Sequence, residues 1–401
     1  MPEAAPLTRP ILAGIVTALV GFTSSFAVVL AGLTAVGASP AQAASGLLAA
    51  SITMGLACVV LAWRYRMPIT VAWSTPGAAL LAATGAVEGA TSAAADERWP
   101  AAVGAFLVVA ALILLTALWP ALGDLVARIP SSIAQAMLAG VLLPLCLAPI
   151  TGLVENPWGV APVVLTWLIV ARLAPRWAVP LAFVAATVVV TVELIREGAS
   201  VDAGILLPRL ELTAPTFTVG ALVGLALPLF IVTMASQNVP GIAIMRSFGY
   251  EVPWRPSMLV TGVGTALGAT AGGHAINLAA ISAALAASPD ADPDPKRRWV
   301  AGVSTGVSYL LLGGCSAAFA ALVLLAPHAV IPAVAGLALF AAFGSAVQQA
   351  IDDPSERLPA VVAFLVAASG VSLLGVSAAF WALVAGLLVR TILRAGRRDP
   401  R

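Results

Sequence analysis

Long apolar runs recur along the whole chain and constrain its fold more than any other feature. The first extends from Ile11 to about Val36, and further apolar stretches follow it as far as the C-terminus. A helix that spans a bilayer needs roughly 20 largely apolar residues. Hydrophobic residues make up 61% of the 401 positions and charged residues only 9%, whereas about 25% of the residues in an ordinary soluble domain are charged. The chain is therefore predicted to be an all-α polytopic membrane protein.

The apolar runs divide into fourteen predicted segments, with approximate bounds. They are 10–36, 40–63, 68–87, 100–119, 130–150, 158–173, 177–195, 217–245, 256–268, 269–287, 299–326, 329–347, 358–374 and 376–393. If the N-terminus is cytoplasmic, all but three of the 20 Lys and Arg residues, Arg98, Arg196 and Arg209, fall on the cytoplasmic side. Omitting one segment would invert every later loop and destroy this bias. The positive-inside rule thus favours 14 transmembrane segments with both termini cytoplasmic.

The two halves of the chain show weak internal similarity. Three pairs of short motifs lie about 200 residues apart: Arg98-Trp99 with Arg298-Trp299, Ile129-Pro130 with Ile331-Pro332, and the interruption near Ser74-Thr75 with that near Gly273-His274. Because seven is odd, a second set of seven segments runs through the membrane in the opposite direction. We therefore predict a 7+7 inverted repeat, as in many secondary transporters, with repeats at 1–195 and 217–401 and a linker at 196–216.

The third segment is interrupted in a way that an ordinary span is not. Residues 69–73 follow Pro68 and are rich in β-branched and aromatic side chains, which favours a short strand. Thr75 followed by Pro76 is typical of a helix N-cap and first helical position. The apolar run beyond them is too short to cross a bilayer. The pattern predicts a strand followed by a half-helix that begins near the midplane.

The tenth segment has a similar organisation. Its glycine-rich stretch, 268–274, is poorly helical, and 275–278 is predicted to open a helix. Strand backbone cannot face lipid, so both segments must be enclosed by protein or line a cavity; two ordinary kinked helices are the alternative. Facing half-helix N-termini would offer N–H donors and partial positive charge to an anion. The candidate substrate contacts in these two segments are Ser74, Thr75, Gly273, His274, Ala275 and Asn277.

The eighth segment carries Ser236, Gln237 and Asn238 inside an apolar helix, where polar groups are costly unless they meet partners or water. Pro240 also frees the carbonyl of Ser236. Adjacent residues cannot share one helix face, so some of these side chains are expected to form interhelical contacts instead. Gln237 and Asn238 are the candidates for substrate binding.

The first segment offers an aromatic face. Phe22 and Phe26 are four residues apart, with Ser25 nearby, and this spacing suits an aromatic substrate as well as ordinary core packing. Phe22 and Ser25 are therefore candidate substrate contacts.

His274 stands out because ionisable residues are almost absent from the predicted segments. A neutral imidazole beside a helix break could bond a carboxylate and accept the proton that enters with it, although a lone histidine often has a structural role. His274 is thus the proton-coupling candidate. No metal or cofactor is expected, because the three cysteines lack metal-ligand spacing: Cys58, Cys146 and Cys315. No basic cluster indicates nucleic acid.

Two motifs carry a family resemblance. SQNVPGIA at 236–243 and GGHAINLA at 272–279 resemble signature stretches of the bacterial benzoate:proton symporter (BenE) family, and the similarity in segment order covers essentially the whole chain. The resemblance implies a fold like that of the uracil permeases. Its core domain would comprise about 10–119 plus 217–326, and its gate domain about 130–195 plus 329–393.

The resemblance also implies a function. A member of this family would import benzoate or a similar aromatic carboxylate with protons across the bacterial inner membrane, and could form a homodimer through the gate domain. Nucleobase permeases of this fold carry acidic residues where this chain has Gln237, Asn238 and Asn277, and neutral amides suit an anion better. An uncoupled anion channel or exchanger and a nucleobase-type permease remain the alternatives. The sequence shows no catalytic cluster, so an enzyme is not expected.

Overall fold

The computed structural model describes residues 7–85, 95–119, 122, 130–198, 206–371, 373 and 376–395. Within these ranges, eight helices are long and apolar enough to cross a bilayer, and a pair of shorter helices bent by 55° makes a ninth if it counts as one span. The chain is therefore a mostly helical, polytopic membrane protein.

Helices dominate the described residues, and two short strands interrupt them. In chain order the elements are α1 (Thr8–Thr23), α2 (Phe26–Ala35), α3 (Pro40–Tyr65), β1 (Val71–Trp73), α4 (Thr75–Gly85), α5 (Ala95–Leu118), α6 (Ser131–Glu155), α7 (Pro157–Leu173), α8 (Ala178–Glu197), α9 (Val219–Ser247), α10 (Trp254–Ala269), β2 (Ile276–Leu278), α11 (Ile281–Ala287), α12 (Trp299–Gly313), α13 (Ser316–Leu325), α14 (Val330–Ile351), α15 (Arg357–Ala368) and α16 (Ala378–Ala395).

Helix α3 shows how local chemistry sets an element's ends. Ser39 and Gln42 form a capping box: the Gln42 N–H donates to Ser39 Oγ over 3.3 Å, and the Ser39 N–H donates to Gln42 Oε1 over 2.9 Å. Pro40 occupies the first helical turn, where its missing N–H costs nothing. The helix ends at Arg66, whose left-handed conformation (φ 53°) turns the chain towards Pro68.

Helix α9 contains two π-helical turns, Leu222–Ala226 and Met234–Asn238. A proline, Pro228 or Pro240, follows two residues after each turn. Proline has no N–H to donate to the carbonyl four residues earlier, so the ladder loosens there. The carbonyl of Gly224 that Pro228 leaves free accepts a 2.6 Å hydrogen bond from the Ser377 hydroxyl instead.

Strands β1 and β2 form a two-stranded antiparallel ribbon inside the helical protein. The strand predicted at 69–73 is present at Val71–Trp73. The prediction that 275–278 opens a helix is wrong: Ile276–Leu278 is the partner strand, and α11 begins at Ile281. Hydrogen bonding to β1 outweighs the local preference, because neither strand could leave its backbone unpaired in the membrane.

The cap of α4 also differs from the prediction. Ser74 is the capping residue, since its Oγ accepts the Gly77 N–H over 3.1 Å and its carbonyl accepts the Ala78 N–H. Thr75 therefore lies inside the first turn of the helix.

The helices pack in two groups around this ribbon. Helix α12 packs on α1 and α3, and α10 packs on α5 and α3, whereas α6 packs on α14 and α15. An aromatic cluster lies where the groups meet, formed by Phe22, Phe26, Trp73, Phe183 and Phe319. Its rings join α1, α2, β1 and α13 to α8.

Candidate functional site

The ribbon brings the two interrupted segments together. Val71 pairs with Leu278, Ala72 with Asn277 and Trp73 with Ile276. The ladder continues beyond the strands, because the Ser74 N–H donates to the Ala275 carbonyl over 2.8 Å and the Ala279 N–H donates to the Thr70 carbonyl over 2.9 Å. The two chain breaks thus satisfy each other's backbone groups, as a buried membrane location requires.

Side chains from neighbouring helices satisfy the outer edges of the ribbon. On the β1 edge, the Val71 N–H donates to Cys58 Sγ over 3.0 Å. On the β2 edge, the Leu278 N–H donates to Asn238 Oδ1 over 2.9 Å, and the Ile276 N–H donates to Thr265 Oγ1 over 3.1 Å. Asn238, which the sequence indicated as a substrate contact, is fully buried and holds β2 in place.

Ser74 is the hub between the segments. Its Oγ accepts hydrogen bonds from Gly77 and from the hydroxyl of Thr233, which lies 2.9 Å away. Its carbonyl oxygen lies 3.2 Å from Nε2 of His274. Each polar atom of Ser74 therefore has a protein partner. Ser74 links the two segments by these bonds but does not itself line the cavity described below.

A cavity of about 100 Å³ lies between the ribbon and the surrounding helices. It is lined by Val20, Gly21, Ser24, Ser25, Met54, Ala72, Trp73, Thr75, Pro76, Leu142, Gln237, Ala279, Ala280, Ser282, Leu285, Tyr309, Ala338, Leu339 and Ala342. These residues come from both halves of the chain and from both helix groups. None of them carries a formal charge.

The polar part of the lining is rich in hydroxyl and amide groups. Ser24 and Ser25 both donate to the Gly21 carbonyl, and Ser25 Oγ accepts the Trp73 indole N–H over 2.8 Å. Gln237 lies on the second π turn of α9 and reaches the cavity. Within the described ranges its amide has no hydrogen-bond partner, so it is free to meet a ligand.

The structure brings three of the predicted contacts to the cavity: Ser25, Thr75 and Gln237. The other seven lie behind the lining in this conformation: Phe22, Ser74, Asn238, Gly273, His274, Ala275 and Asn277. Phe22 is part of the aromatic cluster, with its ring centroid 5.0 Å from that of Trp73. Gly273 packs tightly, since a Cβ there would lie 3.1 Å from the Gly268 carbonyl.

His274 and Asn277 each leave one buried polar atom unpaired. Nδ1 of His274 and Oδ1 of Asn277 have no hydrogen-bond partner among the described residues, although both side chains are at most 1% exposed. If Nε2 carries the proton that binds Ser74, Nδ1 is a bare acceptor. Unpaired buried atoms are uncommon and costly, so these two mark a place where a proton or water could bind.

Several lining residues escaped sequence reasoning. Tyr309 and Ser282 are polar residues inside apolar segments, the same signal that identified Gln237. Leu142, Ala338, Leu339 and Ala342 form the wall on α6 and α14, and nothing in their local sequence distinguishes them from other apolar residues. Within the described ranges no group of three or more His, Cys, Asp or Glu residues could hold a metal ion.

Comparisons with known proteins show which family the chain is similar to. The family model described as benzoate membrane transport protein (BenE) matches residues 6–392. The inner membrane protein YdcO of Escherichia coli (strain K12) is 38% identical over 385 residues, covering 96% of this chain and 95% of that protein. The benzoate membrane transport protein of Acinetobacter baylyi is 30% identical over 382 residues, covering 95% of this chain and 94% of that protein.

A solved structure shares the fold. The transmembrane domain of a cyanobacterial bicarbonate transporter, BicA, superposes with a TM-score of 0.59 at 18% identity and covers 98% of both chains. The family is one of membrane transport proteins and not of enzymes. Since the family model spans nearly the whole sequence, the chain belongs to the benzoate membrane transport protein (BenE) family.

Proposed function

We propose that this protein imports benzoate or a similar aromatic carboxylate together with a proton. The cavity carries the proposal, because it combines an apolar and aromatic wall with hydroxyl and amide groups and no charged side chain. Its volume of about 100 Å³ is of the same order as the ~150 Å³ engineered cavity that binds benzene. One aromatic ring is therefore of a size that matches the cavity.

The electrostatics of the cavity favour an anion. The first turn of α4 lines it through Thr75 and Pro76, and a helix N-terminus carries partial positive charge. Ser74 already accepts the Gly77 N–H and Pro76 has none, so the helix contributes its dipole more than free donors. Gln237 can supply amide donors directly, and no carboxylate in the lining opposes a bound anion. A nucleobase, whose N–H groups would be matched best by a carboxylate acceptor, is less well suited to this lining.

The relatives support this substrate class. One protein of the family bears the name benzoate membrane transport protein, and one structure that shares the fold is that of a bicarbonate transporter. Benzoate and bicarbonate are both singly charged oxyanions, and of the two only benzoate carries an aromatic ring. Benzoate is the ligand that agrees with the name of the first protein and with the size of the cavity.

We infer an alternating-access architecture around the cavity. The strand-then-helix order of β1–α4 recurs in β2–α11, which agrees with a 7+7 inverted repeat of 14 segments. Fifteen lining residues fall in the core at 10–119 and 217–326, and the four on α6 and α14 fall in the gate at 130–195 and 329–393. An elevator movement of core against gate would expose the cavity to each side in turn. Both termini would be cytoplasmic, and a homodimer would form through the gate.

His274 is the proposed proton carrier. It bridges the two interrupted segments through Ser74, and its Nδ1 is unpaired. In proteoliposomes containing a pH-sensitive dye, His274→Gln should keep benzoate exchange but lose uptake driven by a pH gradient, because glutamine can still donate to Ser74 but does not titrate. Unchanged gradient-driven uptake would exclude His274 as the carrier.

One observation favours an uncoupled anion transporter as the second candidate: His274 lies behind the cavity lining. The two candidates are separated by measuring labelled benzoate uptake into proteoliposomes under an imposed pH gradient. Proton symport predicts accumulation that depends on the gradient and is reduced by competing aromatic acids. Benzoate-dependent current without proton movement supports the uncoupled transporter, and the absence of labelled benzoate uptake contradicts both.

A further inference from the structure

Two hydroxyl groups meet on the cavity wall at a position that the predicted site did not include. Tyr309 of α12 is one of the largest fully buried side chains, and its hydroxyl lies beside Ser282 of α11 where both approach Gly21. Both residues line the cavity. They come from the tenth and eleventh predicted segments, so their meeting depends on the fold and not on sequence proximity.

Gly21 of α1 makes room for this pair. A Cβ at position 21 would lie 2.5 Å from the Tyr309 hydroxyl oxygen and 3.9 Å from Ser282 Cβ. The Tyr309 hydroxyl is therefore held against the α1 backbone on one side and against Ser282 on the other. Packing thus fixes the position of the Tyr309 hydroxyl. A binding group must be held in this way if it is to discriminate between ligands.

The two hydroxyls have more protons than they can use between themselves. They carry two O–H protons, and a hydrogen bond between them can use at most one. Within the described ranges, neither hydroxyl has another protein partner. At least one O–H of the pair is therefore without a protein acceptor, and because both residues line the cavity a carboxylate oxygen there can accept from it.

We propose that the Tyr309–Ser282 hydroxyl pair donates a hydrogen bond to the substrate carboxylate and helps to set the preference for acids. This inference rests on the proposed function. The two hydroxyls act as one unit, because Ser282 orients the Tyr309 hydroxyl. Together they have at least one O–H left to donate in a hydrogen bond to the carboxylate. Gln237 supplies amide donors from α9, a different wall of the cavity. The carboxylate is thus held from two sides, with its ring against the α6 and α14 wall.

The test is a calorimetric titration of the purified full chain with benzoate. Tyr309→Phe keeps the ring and removes the hydroxyl, and it should weaken affinity roughly 10- to 100-fold, the usual effect of losing a hydrogen bond to a charged group. Ser282→Ala should have a comparable effect. The double variant should lose little beyond the larger single loss, because the pair acts as a unit.

Tyr250→Phe is the matched control, since the Tyr250 hydroxyl donates to the Pro295 carbonyl away from the cavity. It should bind benzoate like the unaltered protein. The ligand-free melting temperatures of the variants distinguish binding from folding: the proposal expects weaker affinity at nearly unchanged melting temperature, and a purely structural pair would lower the melting temperature with affinity preserved.

The outcomes separate the two claims. Unaltered protein that binds benzoate, together with Tyr309→Phe and Ser282→Ala variants that bind equally well, overturns this inference alone. Unaltered protein that binds no aromatic carboxylate overturns the proposed function and this inference with it. If Tyr309→Phe does not fold, Ser282→Ala decides by the same criterion.

Discussion

At the scale of single residues, Gln237 offers the most direct test of the cavity. Gln237→Ala should weaken benzoate binding roughly 10- to 100-fold, because it removes the amide donors of the α9 wall. Stability should change little, since the side chain has no protein partner in the described ranges. Isothermal titration calorimetry and the melting temperature of the ligand-free protein provide the two readouts.

Gln349→Ala is the control for this substitution. Gln349 is exposed on α14, and its hydrogen bonds to described residues are to Ser345 within its own helix turn. Its loss should leave benzoate affinity unchanged. Equal affinity in the Gln237 and Gln349 variants would remove Gln237 from the site.

Gly21 is the second residue whose replacement has a clear consequence. Gly21→Ala places a methyl group 2.5 Å from the Tyr309 hydroxyl, and because a tyrosine hydroxyl sits on a rigid ring, the ring or α1 must shift. We expect uptake of labelled benzoate to fall by about tenfold or more, the scale on which small displacements of binding groups act.

Gly344→Ala provides the comparison for Gly21, because among the described residues no atom outside its own stretch of helix lies within 4 Å of a Cβ at Gly344. In mid-helix this change should stabilise by about 0.5–1 kcal/mol and leave uptake intact. Normal uptake by the Gly21 variant would show that the contact with Tyr309 relaxes without consequence.

At the scale of elements, the ribbon depends on side chains that replace missing strand neighbours. Asn238→Ala leaves the buried Leu278 N–H without its 2.9 Å partner, at a cost of about 1–3 kcal/mol. Since β2 leads directly into Ala279 and Ala280 on the cavity wall, we expect both the melting temperature and benzoate affinity to fall.

Asn156→Ala separates these two effects. Asn156 caps α7 by accepting the Gly159 N–H, and its loss should cost about 1 kcal/mol without changing benzoate affinity, because α7 does not line the cavity. A binding loss in the Asn156 variant equal to that in the Asn238 variant would mean that affinity merely follows stability.

The ribbon also shows how far sequence reasoning reaches at this scale. The β-branched residues before Ser74 were sufficient to predict β1, because their local preference and their tertiary role agree. Ile276–Leu278 has no such bias and is a strand only because β1 pairs with it. The cap of α4 falls one residue before the predicted position for a similar reason: Ser74 and Thr75 are both hydroxyl residues, and contacts from Thr233 and His274 favour Ser74.

At the scale of the whole molecule, the cavity exists only where the two helix groups meet. Composition predicted the membrane class, polar residues inside an apolar segment led to Gln237, and the helix-start signature of the interrupted third segment led to Thr75. The wall formed by Leu142, Ala338 and Leu339 could not be predicted, since apolar residues in spans all resemble one another. Which of them faces a ligand depends on how α6 and α14 lie against the ribbon.

The aromatic cluster allows a test of movement between the groups. Phe26 contacts Phe183 of α8 with ring centroids 4.7 Å apart and Phe319 of α13 with centroids 4.9 Å apart. The first pair joins the proposed core to the proposed gate, whereas the second lies inside the core. A cysteine pair at positions 26 and 183 would therefore link core to gate, and a pair at positions 26 and 319 would link two parts of the core. Position 26 is common to both pairs.

In a Cys315→Ser background, which removes the exposed thiol and leaves buried Cys58 and Cys146 in place, bridging Phe26→Cys/Phe183→Cys with a short bifunctional methanethiosulfonate reagent should cut benzoate uptake by roughly tenfold or more, because transport needs the core to move. The reagent spans the distance between two side chains whose rings are in contact, and its reduction should restore uptake. The Phe26→Cys/Phe319→Cys pair should transport equally well with and without the bridge. Full uptake by a cross-linked Phe26–Phe183 variant would mean that core and gate do not separate at this contact, and that access to the cavity changes by movement elsewhere.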